Sequence, residues 1–152
     1  MRNKMIRRFA AYAAVAIFPL QGTCTEAAIG ETATRWATVS LVSRDGGGFG
    51  SAGKASILVA ASASSGNSGS RVERVGESEV RLAERGTAPV LVEGVPCDIT
   101  MPQPTDRVRC WALGPDGGRE AEIRPEATTD GKGSVLRLGP AHKTLWYEIS
   151  IN

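Results

Sequence analysis

From residue 35 onward, apolar and polar residues alternate in short runs broken by turn formers. In "RWATVSLVS" (35–43), Ala37, Val39 and Leu41 alternate with Trp36, Thr38, Ser40 and Val42. In "VPCDITM", Val95, Cys97, Ile99 and Met101 share one parity, and in "RVRCWAL" Val108, Cys110 and Ala112 alternate with Arg107, Arg109 and Trp111. "TLWYEISI" sets Leu145, Tyr147, Ile149 and Ile151 on one face and Trp146, Glu148 and Ser150 on the other. A period of two is the signature of a strand. "ASILVAA" is an unbroken apolar run and reads as a strand buried on both faces. "APVLVEGVP" and "SVLRLG" read as strands, "REAEIRPEA" alternates until Pro125, and "SEVRLAER" fits a strand or a helical turn. "RDGGGFGSAGK", "SASSGNSGS" (62–70), "PQPTD", "GPDGG" and "TTDGKGS" read as turns and loops. Helical periodicity is absent after residue 30. The pattern predicts an all-β chain: a single antiparallel β-sandwich, immunoglobulin- or fibronectin-III-like, over residues 34–152.

The first residues follow another pattern. "MRNKMIRR" is basic and "FAAYAAVAIFPL" is apolar over twelve residues, the arrangement of a secretory signal peptide with a helical apolar segment. Twelve helical residues rise only ~18 Å, short of a ~30 Å hydrocarbon core, so no stable membrane span is expected. Small residues in Thr25-Glu26-Ala27 place cleavage after Ala27, giving a signal peptide over 1–27 and a secreted product, extracellular or periplasmic. Cys24 follows the apolar run, but Gln21 and Thr23 depart from a lipid-attachment box.

Removing that segment changes the charge balance. It takes four of the 18 basic and one of the 16 acidic residues, leaving 14 against 15 and a net charge of −1. A nearly neutral product has no electrostatic footprint for a phosphate backbone, so no nucleic-acid partner is expected. Two cysteines remain, Cys97 and Cys110, both on the apolar parity. If their strands pair as a hairpin across "PQPTD", Cys97 falls opposite Cys110 and Ile99 opposite Val108. Opposed Cβ atoms ~4.5–5.5 Å apart lie near disulfide range, and an oxidising compartment favours the Cys97–Cys110 bond over two reduced core thiols. Two cysteines and one distant histidine are too few for zinc, and no metal or cofactor is expected.

Catalytic constellations are sparse. His142 is the single histidine, sits in a Gly-Pro turn, and has no Gly-x-Ser-x-Gly serine elbow to serve. Glu93 with Glu148, or Asp98 with Glu122, could form the carboxylate pair of a glycosidase. Fifteen acidic residues in one small domain yield such pairs by chance. The glycine-rich "DGGGFGSAG" lacks the lysine and helix of a phosphate loop, and "DGKG" has too few acids for a calcium loop. Trp111 and Trp146 remain. Both fall opposite the apolar parity, and exposed rings of this kind stack on sugar faces. Burial in the core is the competing account of each.

Several segments resemble the C-terminal β-sandwich region of large secreted bacterial glycoside-hydrolase-like proteins that carry a catalytic barrel upstream. The matching pieces, in order over about residues 34–152, are "RWATVSLVSRDG", "ILVAASASSGNSGS", "GTAPVLVEGVP", "RVRCWALGPDGGR" and "RLGPAHKTLWYEI". Asn67-Ser68-Gly69-Ser70 stands where relatives carry an Asn-Thr-Gly-Met-like tetrad, and Arg85 stands where they carry Trp. At the cysteine positions relatives show small or branched apolar residues, which agrees with core-facing thiols. The resemblance implies a non-catalytic accessory module, binding polysaccharide or packing against a hydrolase domain, because the catalytic barrel is absent. The alternatives are a structural or protein-interaction module and a small secreted glycoside hydrolase using Glu93 or Glu148. Binding calls for exposed aromatics on one sheet. An enzyme calls for converging carboxylates, and a docking module for an exposed apolar patch.

Overall fold

The structure, a computed structural model, describes residues 12–16, 26–29, 36–46 and 53–152. Alternation in sequence becomes alternation in burial. In β3 (Trp36–Ser43), Ala37, Val39 and Leu41 are buried while Trp36, Thr38, Ser40 and Val42 are not. The same holds for β4 (Ala55–Ser62), whose outer residues Ser56, Leu58, Ala60 and Ser62 are half-buried. The expected burial of this run on both faces is therefore corrected: its outer face is only partly covered.

These two strands join β1 (Tyr12–Ala16), β14 (Trp146–Ile151), β10 (Val108–Leu113) and β11 (Arg119–Ile123) in a six-stranded sheet. Its order is β1-β3-β4-β14-β10-β11, antiparallel throughout except for β1 beside β3. A four-stranded antiparallel sheet has the order β12 (Glu126–Ala127), β13 (Ser134–Leu138), β9 (Cys97–Met101), β2 (Glu26–Ile29). The inward faces of both sheets form one buried cluster. Val39, Ile57, Val59 and Ile149 come from the larger sheet, and Ile99, Met101 and Leu136 from the smaller. Each such side chain contributes ~1.5–3 kcal/mol on removal from water.

The strands around the cysteines do not form a hairpin. β9 pairs with β13 and β2, while β10 pairs with β14 and β11. Cys97 lies opposite Leu138, Cys110 lies opposite Ile149 and Ile123, and both thiols are free. The connection "PQPTD" crosses between sheets instead of reversing within one, and Gln103 is buried in it. Its two prolines suit a crossing as well as a turn.

Of the expected signal segment, residues 1–11 and 17–25 lie outside the described residues. Tyr12–Ala16 is extended along β3. Among the described residues, no helix is long and apolar enough to cross a membrane.

Residues 65–92 leave both sheets as a ribbon arm. β5 (Ser65–Ser68) pairs with β8 (Thr87–Val92), and β6 (Arg71–Arg74) pairs with β7 (Val80–Glu84). The Gly/Ser segment expected as a loop thus contributes a strand. Gly86 joins β7 to β8 with a φ of 64°, and a Cβ there would lie 2.3 Å from the Ser68 carbonyl oxygen, so glycine is required. Val72, Val80 and Leu82 share one exposed face of the β6–β7 ribbon. Elsewhere on it, Arg71 pairs with Glu73 and with Glu84 at 2.9 Å, and Arg81 pairs with Glu73 at 2.9 Å.

Candidate functional site

All three tryptophans occupy the outer parity of the six-stranded sheet. Trp36 opens β3, Trp146 opens β14 opposite Ala60, and Trp111 lies on β10 opposite Glu148. Their exposures separate them. Trp36 is 48% exposed and Trp146 47%, whereas Trp111 is 8% exposed.

Trp111 is covered by its neighbours' charges. The Arg119 guanidinium lies 3.7 Å from its ring centroid, and that of Arg109 lies 4.9 Å away. Arg119 reaches this place because a bulge between Ala112 and Leu113 shifts the β10–β11 register. Its Nε and Nη2 donate to the two Glu148 carboxylate oxygens at 3.0 and 2.8 Å. Arg44 adds a contact at 3.6 Å, and Arg109 pairs with Glu122 at 2.9 Å. The Arg119 hydrogen bonds hold the Glu148 carboxyl below its ordinary range, against the opposing effect of its burial. Trp111 is therefore a packed residue under a cationic lid, and its ring is closed to a ligand.

Trp146 has the opposite setting. Thr144 Oγ1 donates to the Leu113 carbonyl at 2.6 Å and accepts from the Trp146 N–H at 3.1 Å, which fixes the entry of β14 against β10. The ring borders a cleft of about 540 Å³ whose walls include Glu120, Lys143, Pro115, Pro140 and Leu145. Lys143 stands at the cleft in a left-handed conformation, φ 54°, directly after the short 3₁₀ turn Pro140–His142. Gly94 lets the chain pass close to that turn: a Cβ there would lie 2.9 Å from Pro140 Cα.

The catalytic candidates do not converge. His142 packs edge-on against Tyr147, centroids 5.9 Å apart, as a half-buried turn residue. Tyr147 donates to the Gly139 or Thr144 carbonyl at 3.2 Å, holding that same turn, and burial raises its hydroxyl above the usual range. Glu148 is gripped by Arg119, and Glu93 accepts a hydrogen bond from Ser64 at 2.9 Å. Asp98 lies opposite Arg137 in the four-stranded sheet, whereas Glu122 lies in the six-stranded one. No group of three or more His, Cys, Asp or Glu side chains that could hold a metal ion occurs among the described residues.

The two thiols are inert by burial. Cys97 is pushed up to about 11 and Cys110 to about 12, chiefly by removal of the thiolate from water.

Trp36 was not singled out among the sequence candidates. The signal was present in its parity with Thr38, Ser40 and Val42, opposite Ala37, Val39 and Leu41. No known family, curated protein or solved structure matches the chain.

Proposed function

We propose that the chain is a secreted, non-catalytic accessory module, a single β-sandwich behind a signal peptide over 1–27, that binds polysaccharide. The observation that carries this reading is the pair of half-exposed tryptophans, Trp36 and Trp146, on one face of one sheet. Half-exposed rings keep a large apolar surface in water, and sugar C–H faces are its natural cover. Trp146 adds a cleft in which Glu120, Lys143 and Thr144 can take hydroxyl groups. The engagement of Glu148 with Arg119 supports the non-catalytic reading over a hydrolase using that carboxylate: a group held ionised in a bidentate pair is a poor general acid.

The ribbon arm favours a second reading, a module that packs against a partner protein. Val72, Val80, Leu82, Val90, Leu91 and Val92 are all exposed on it. An apolar face on an isolated two-stranded ribbon has little to stabilise it until something covers it.

The test is depletion of the purified protein from solution by a panel of insoluble polysaccharides, with Trp146→Ala alongside. Depletion by one polymer, lost in the folded variant, is the expected result. No depletion by any polymer removes the glycan reading and leaves the protein-packing one.

A further inference from the structure

The two exposed tryptophans are separated by an uncharged floor. Trp146 lies opposite Ala60, and Ala60 lies opposite Ser40 on β3. Trp36 lies four residues from Ser40 on the same parity. Two strand spacings across and four residues along put the two Cα atoms roughly 16 Å apart. Between them the outer face carries Thr38, Ser40, Ala60 and Ser62, all half-buried and with Thr38 opposite Ser62. Among the described residues, no protein group hydrogen-bonds the side-chain hydroxyls of Thr38, Ser40 or Ser62. Charges flank this floor on the β10 side and at the Trp146 end: Arg44 and Arg119 pair with Glu148, Arg109 pairs with Glu122, and Glu120 and Lys143 line the cleft beside Trp146.

Resting on the glycan-binding reading, we infer that Trp36 is a second stacking residue. The site takes an extended, uncharged glycan chain laid across β14, β4 and β3 from the Trp146 ring to the Trp36 ring. The reasons are chemical. Two rings this far apart cannot be covered by one small sugar, so a ligand must be a chain to use both. The floor offers hydroxyls that donate and accept, which suits sugar hydroxyls along the chain. Among the described residues, the stretch between the rings offers no cation to neutralise a uronate or sulfate, Lys143 standing at the Trp146 end, and an unpaired anion set there would lose hydration without compensation. An acidic polymer is therefore disfavoured at this platform.

The experiment is a titration of the full chain with neutral linear gluco- and xylo-oligosaccharides from disaccharide to hexasaccharide, with oligogalacturonides as the acidic comparison. Trp36→Ala and Ser40→Asp are measured beside the parent, each checked for an unchanged thermal midpoint. The expected result is affinity that rises with length for neutral chains. Trp36→Ala should cut hexasaccharide affinity about tenfold, ~1.4 kcal/mol, and disaccharide affinity less than about twofold. Ser40→Asp, which leaves both rings in place, should weaken the long chains as well. If glycans bind and Trp36→Ala changes no length, or all lengths equally, the inference fails and the binding reading survives. A preference for the oligogalacturonides also overturns it. If no glycan binds a folded parent, the binding reading falls and takes the inference with it.

Discussion

Arg119 lies 3.7 Å over the ring of Trp111 while both its Nε and one terminal nitrogen hold Glu148. One side chain thus closes off an aromatic ring and neutralises a buried carboxylate. Trp111→Ala should cost about 3 kcal/mol or more in urea unfolding, as loss of a large packed ring does. Trp146→Ala, at a half-exposed position, should cost about 1 kcal/mol or less. Equal losses would mean that the two rings do not differ in packing as described.

Glu148 should shape the acid limb of stability. Its carboxyl is held below the ordinary value of 4.5 when folded, so the unfolded chain binds the proton more tightly. The stabilisation is complete above that ordinary value and fades as pH falls through the lower, folded one. Glu148→Gln should lower stability at neutral pH by about 1–3 kcal/mol, the worth of hydrogen bonds to a charged group. It should also flatten the fall on acidification. Urea midpoints for parent and variant between neutral pH and about pH 3 check both.

Cys97 and Cys110, at about 11 and 12, hold almost no thiolate at neutral pH and are buried. Iodoacetamide should therefore leave the native protein unmodified and alkylate both in denaturant, read by intact mass. The two thiols lie in different sheets, so the hairpin bond expected from their spacing has no register to form in.

The arm should be the first part of the described chain to be cut. Its segment between β6 and β7 contains Gly76 and Ser78, and its strands pair only with each other. Limited proteolysis should nick residues 75–79 while the sheet strands stay intact. Early cleavage within β10 or β14 would contradict that order.

Much of the sheet was readable from parity alone. Ala37, Val39 and Leu41, or Tyr147, Ile149 and Ile151, alternate with residues that face outward, and the structure buries them accordingly. Parity names a face but not a neighbour. Nothing in "PQPTD" distinguishes a reversal within one sheet from a crossing to the other, so spacing alone sets Cys97 opposite Cys110 where the structure sets Leu138 and Ile149 opposite them. Apolar content likewise reports a need for cover without saying what covers. Val90, Leu91 and Val92 resemble a core strand in sequence and stand exposed on the arm. The burial of Trp111 depends on a register shift that carries Arg119 over it, and no local sequence signal announces that. Trp36 is legible by the same alternation that exposes Trp146: it shares the outward parity of Thr38, Ser40 and Val42.

β3 has β1 as its outer neighbour, and β9 has β2, so each sheet is bordered on one side by a strand from the first 29 residues. Cleavage after Ala27, as proposed, would strip away all of Tyr12–Ala16 and the first half of Glu26–Ile29. The processed protein would then differ from its precursor in adhesiveness as well as length. Backbone donors and acceptors over residues 36–40 would lose their partners on β1, and such a row recruits any extended chain that meets it. Maturation would thereby move the margin of the larger sheet from β1 to β3 and leave a vacancy for a strand beside it.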